Sequence, residues 1–160
     1  MKMPQIDETK LPEAEALIDQ AARLMEERDC DADKEAKREL RDLQRRLREL
    51  TGNQKLRITA FRKYWAATDL RTMARLVLQQ PPQKSGLTDD QLREIYRRIS
   101  KLDFDVPKEK LEATLDYYIK VLKVETGLNN ITDYIYYPEL VGAKGDDDDT
   151  IMERILNDRK

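Results

Sequence analysis

Apolar residues recur along this chain at helical spacing, separated by short polar punctuation. From Pro12 to Arg28, Leu17, Ile18, Ala21, Leu24 and Met25 line one face of a predicted helix whose proline sits just inside its start. Asp31 or Asp33 can cap a second helix carrying Ala36, Leu40, Leu43, Leu47 and Leu50, and Gly52 is a natural stop, so the two predict a hairpin. A third helix is expected over 54–67, with Leu56, Ala60, Phe61, Tyr64 and Trp65 inward. A fourth, capped by Thr68, places Leu70, Met73, Ala74, Val77 and Leu78 inward. Pro81 and Pro82 end it. Residues 81–86 (PPQKSG) read as a linker between a helical subdomain at 1–80 and a second domain at 87–160.

The second domain opens on Thr88, with Gln91 three residues on: a capping box, with Asp89 and Asp90 favourable to the helix dipole. Leu92, Ile95, Tyr96, Ile99 and Leu102 form its apolar face. A helix over about 107–125 follows, with Leu111, Leu115, Tyr118 and Leu122 as candidate core, and Gly127 stops it. Residues 131–138 (ITDYIYYP) have strand propensity, yet a lone strand among helices has nothing to pair with. The competing reading is one helical turn, in which Asp133, Tyr136 and Tyr137 share a face and Tyr134 and Ile135 point away. In that turn Asp133 can also serve as the helix cap. An acidic run, 146–149, precedes a last helix from Ile151 to about Asp158. The fold class is therefore all-α, with seven or eight helices in two sub-bundles.

Composition narrows the chemistry. The 160 residues include no histidine and one cysteine, Cys30. Ser-His-Asp and Cys-His catalysis, histidine-ligated metal sites, thiolate clusters and internal disulfides are excluded. No Gly-rich phosphate loop or acid pair stands out, so neither an enzyme nor a cofactor is expected. No secretion signal or apolar run of membrane-spanning length is visible, so a soluble, cytoplasmic protein is expected. The net charge of −2 conceals a gradient. Residues 1–84 carry 18 Lys+Arg and 15 Asp+Glu (+3), and residues 85–160 carry 12 and 17 (−5). The acidic half favours a basic protein partner over nucleic acid. Lys34 to Arg48 is rich in cations but includes Glu35, Glu39 and Asp42, and reads as a salt-bridged helix face. Tyr64 and Trp65 read as core of the first subdomain.

Thr132 to Pro138 (TDYIYYP) resembles the immunity proteins of DNase-type colicins and pyocins. Leu87 to Gln91 (LTDDQ) resembles the start of that family's first helix, and Leu115 to Lys120 (LDYYIK) its second. The acidic run before an isoleucine-led helix resembles its fourth. The resemblance covers about 75 residues, 86–160, in the family's order; residues 1–85 resemble nothing named here. It implies a four-helix domain with a very short third helix. It further implies a bacteriocin immunity protein that binds a cognate nuclease toxin beside its active site and excludes nucleic acid from it. Carried across, the anchors are Asp133, Tyr136 and Tyr137, and the face that selects the toxin comprises Leu111, Glu112, Leu115, Asp116 and Ile119. The implied partner is a basic toxin domain, with no direct nucleic-acid or membrane contact. The alternative is a helical regulatory or scaffold protein that reuses such a domain; a third reading, nucleic-acid binding by the +3 half, predicts steep salt-dependent DNA binding, which is not expected from so mixed a surface.

Overall fold

The computed structural model describes residues 4–160. Helix α1 (Leu11–Glu27) begins with Pro12, where a missing N–H leaves no bond unmade, and buries Leu11, Ala14, Leu17, Ile18 and Ala21. Helix α2 (Lys34–Thr51) starts at Asp33, whose carboxylate accepts from the N–H groups of Glu35 and Ala36, both at 3.1 Å. It ends at Gly52, at φ 73°, where glycine adopts the left-handed conformation without steric cost. Ala36, Leu40, Leu43 and Leu47 turn inward onto α1, and helix α3 (Leu70–Leu78) packs against α1 as well.

Two expectations for this region need correction. Residues 54–67 are not an α-helix. They form 3₁₀ turns at Ile58–Phe61 and Tyr64–Ala66, so this half holds three α-helices rather than about four. The buried residues are Leu56, Ile58, Phe61 and Tyr64. The last three repeat every three residues, the period of a 3₁₀ turn rather than of an α-helix. Lys63 breaks the path at φ 51°, and Ala60 is exposed and Trp65 48% exposed instead of joining the core. The cap of α3 is Asp69, not Thr68: the Asp69 carboxylate accepts from the Thr72 N–H at 2.8 Å.

The second half contains α4 (Asp89–Lys101), α5 (Lys108–Thr126), α6 (Ile131–Tyr136) and α7 (Asp148–Asp158). The capping box of α4 is present in full. Gln91 N–H donates to Thr88 Oγ1 at 3.2 Å, and Thr88 N–H donates to Gln91 Oε1 at 2.9 Å. The core gathers Leu92, Ile95, Tyr96, Ile99, Tyr118, Leu122, Ile131, Tyr134, Ile151, Met152 and Ile155. Leu102 is not among them. It takes the left-handed position that ends α4, φ 52°, and is 51% exposed. The chain divides into two compact units, Gln5–Gln79 and Gln80–Lys160. The end of the proline-rich stretch is tied into the second unit: the backbone N–H groups of Ser85, Gly86 and Leu87 donate to the buried Glu125 carboxylate at 2.6, 3.2 and 3.1 Å. Burial pushes that carboxyl up, and these donors more than reverse it. No strand occurs among the described residues, and the fold is all-α.

Candidate protein-docking site

The segment 131–138 resolves its two competing tendencies through burial. Ile131 and Tyr134, three residues apart, are both fully inside, which a helical turn achieves and an alternating strand does not. Backbone bonds from Asp133 N–H to the Asn130 carbonyl (2.9 Å) and from Tyr137 N–H to the Asp133 carbonyl (2.8 Å) close the turn. Tyr137, at φ −136° and ψ 57°, leaves the helical conformation and ends α6, and a 3₁₀ turn, Pro138–Val141, follows. The cap position is Asn130, so Asp133 does not cap this helix; it lies one turn in, half-buried.

The corner is held from below by α7. Tyr134 points inward and its hydroxyl donates to Asp158 Oδ2 at 2.8 Å. Arg154 Nε lies 3.1 Å from the same oxygen and donates to the Val141 carbonyl at 3.0 Å. One Arg–Asp pair of α7 thus grips both α6 and the turn after it. Burial, then the bond to Asp158, pushes the Tyr134 phenol up to about 12. On the outside, Tyr136 is 52% and Tyr137 55% exposed. Leu140 is more exposed still, at 68%. It sits three residues after Tyr137, the spacing at which side chains of a 3₁₀ turn stack over one another. Sequence reasoning missed Leu140. Its signal is the i, i+3 step from Tyr137 across a proline, readable only once the turn is known to be 3₁₀.

No family model, no curated protein and no solved structure matches the chain. Asp133, Tyr136, Tyr137 and Leu140 lie on one short corner. The five residues expected on α5 run along that helix from the edge of the core outward. Leu111, Leu115 and Ile119 are half-buried and pack against the core cluster. Glu112 is exposed, and Asp116 is half-buried in an ion pair with Lys120 at 2.7 Å. Helices α5 and α6 are in contact.

Chemically, the corner offers adhesion rather than reaction. Two phenol rings, a branched aliphatic side chain and a carboxylate supply apolar area, hydrogen-bonding tips and one negative charge. No group of three His, Cys, Asp or Glu among the described residues could hold a metal ion. A cleft of about 470 Å³ lies between α4 and α7, lined by Asp90, Arg93, Glu94, Arg97 and Asp147 to Asp149. Arg97 is already bound to Glu94 there at 2.8 Å.

Proposed function

We propose that this protein is a bacteriocin immunity protein that binds a basic nuclease toxin through the corner at Asp133, Tyr136, Tyr137 and Leu140 and blocks nucleic acid from the toxin's active site. The observation that supports the reading is the pair of adjacent, half-exposed tyrosines at the end of a six-residue helix, Tyr136 its last residue and Tyr137 the cap after it, whose other face is locked into the core. An exposed ring contributes little to folding, and two adjacent ones offer apolar area with polar tips that a partner can cover. Each ring leaves roughly 100 Å² to bury, which at about 25 cal/mol per Å² is about 2.5 kcal/mol per tyrosine at most. Tyrosine is a frequent hot-spot residue because it brings large area at low conformational cost.

The electrostatics agree in sign. Residues 85–160 carry a net charge of −5, and Asp133 and Glu139 flank the exposed rings in sequence. A nuclease surface that grips phosphates is cationic, so the two fields attract and speed encounter, more at low salt. The face of α5 that includes Glu112 and Asp116 is the surface that would distinguish one toxin from another. The test is protection. A nuclease reading frame is expected beside this gene, and its product is expressed in a sensitive cell with the wild-type chain, with Asp133→Ala or with Tyr137→Ala. Wild type is expected to restore growth and both variants to fail at the same expression level. Full protection by both variants overturns the docking site, and no protection by wild type overturns the function.

A further inference from the structure

The unit of residues 5–79 has no role in that reading, yet it carries the most polarised charge of the protein. Residues 5–33 hold 3 Lys+Arg and 10 Asp+Glu, net −7, while residues 34–68 hold 11 and 4, net +7. Helix α2 sorts these charges by side. At about 3.6 residues per turn, Lys34, Lys37, Arg38, Arg41, Arg45 and Arg48 fall within an arc of about 100°. Glu35, Glu39, Asp42 and Glu49 fall on the neighbouring arc with one cation, Arg46, among them, and the buried Ala36, Leu40, Leu43 and Leu47 on the far side. The cationic stripe rises about 21 Å along the helix.

The expectation of a salt-bridged face is met at Arg45 alone among the cations of α2: Arg45 pairs with Asp42 at 2.6 Å and with Glu49 at 3.0 Å. Among the described residues no ion pair engages Lys34, Lys37, Arg38 or Arg41, all exposed. The connector after α2 widens the stripe. Arg48 Nε donates to the Leu56 carbonyl at 2.8 Å, and Ile58 N–H donates to Gln44 Oε1 at 3.0 Å. These bonds lay 56–58 along the flank of the stripe, where Lys55 and Arg57 are exposed. No acidic residue occurs from 50 to 68.

We infer that this face binds the phosphate backbone of duplex nucleic acid without reading its sequence. A stripe of this length runs beside roughly six base pairs, each strand presenting a phosphate about every 3.4 Å. Guanidinium groups match phosphate oxygens as two-pronged donors. A membrane surface fits less well, because the apolar side of α2 is consumed by the core and cannot enter lipid. An acidic protein fits less well, because no exposed residue of α2 is apolar and an interface needs an apolar centre. The inference differs from the expectation of no direct nucleic-acid contact, which counted the charges of α2 without their sides. It does not rest on the immunity function, since it concerns the other unit and a different probe.

The experiment is fluorescence anisotropy of a labelled 20-base-pair DNA duplex titrated with the full chain. Micromolar binding is expected at 50 mM salt, weakening about hundredfold at 200 mM if about four phosphates are engaged. Lys37→Glu with Arg41→Glu is expected to weaken binding at least tenfold. Lys101→Glu with Lys144→Glu, the same change in net charge on the other unit, is expected to leave it within twofold. Should the reversed pair fail to fold by circular dichroism, Lys37→Gln with Arg41→Gln carries the comparison, with at least a threefold loss expected. No binding at 50 mM salt overturns the inference, as do equal losses in the two charge-reversed pairs. Poly-aspartate competing as well as unlabelled duplex, or anionic vesicles being bound while duplex is not, overturns it equally.

Discussion

Replacing Tyr134 and Tyr136 by alanine separates the two sides of the α6 corner. Tyr134 is 4% exposed and its hydroxyl is bound to Asp158, so Tyr134→Ala removes a packed ring and a buried hydrogen bond together. Ring-to-alanine truncation in a core typically costs about 3–5 kcal/mol, and the site cannot collapse freely because Ile131, Ile155 and Asp158 are fixed by neighbouring helices. Tyr136, half outside, touches solvent with the area that its truncation removes, and Tyr136→Ala should cost about 1 kcal/mol or less. Urea unfolding followed by far-ultraviolet circular dichroism measures both. Trp65, the single tryptophan, lies in the other unit, so its fluorescence follows that unit separately. Two equal destabilisations, or a larger one for Tyr136→Ala, would refute the inside–outside assignment on which the docking surface depends.

Three other outcomes follow from the same geometry. Thr88→Ala removes half of the capping box of α4 and should cost about 1 kcal/mol in the same urea experiment, with little change in m-value. Leu140→Asp should leave the melting temperature within a degree or two while weakening binding to the proposed nuclease partner at least tenfold; unchanged binding would remove Leu140 from the surface. Alkaline pH should destabilise the fold. The phenols of Tyr64, Tyr96 and Tyr134 are each pushed up to about 12, chiefly by burial, so the folded state holds their protons longer than the unfolded chain does. Stability is then full below about pH 10 and is lost as pH rises from 10 towards 12, as chemical denaturation across that range will record.

Much of the architecture is legible in the sequence because local signals and burial agree. Thr88 with Gln91, Asp33 before a heptad-like seam and Gly52 after it each mark a boundary that the structure keeps. The misses occur where two local rules compete. Thr68 and Asp69 are both good caps, and the carboxylate prevails by bonding both the N–H and the hydroxyl of Thr72. Ile58, Phe61 and Tyr64 fit either a loose α-helical face or a three-residue repeat. Only the docking of that stretch onto Gln44 and Arg48 of α2 selects the latter and leaves Trp65 outside. At the corner, strand propensity in Ile131 to Tyr137 yields to the burial of Ile131 and Tyr134 three residues apart. The exposure of Tyr136 and Tyr137 was readable from helical spacing. The clamp beneath them, Arg154 with Asp158, was not, because it depends on how α7 packs against α6.

The most direct test is calorimetric titration of an inactivated nuclease domain, the product that the proposed function expects beside this gene, into the wild-type protein and into Tyr136→Ala with Tyr137→Ala. A tight one-to-one complex for the wild type, weakened at least a thousandfold in the double variant while its helix content is retained, is the expected result. Undiminished affinity in that variant, or no heat of binding to the wild type, would contradict the proposal that these two rings are held outward to dock a toxin.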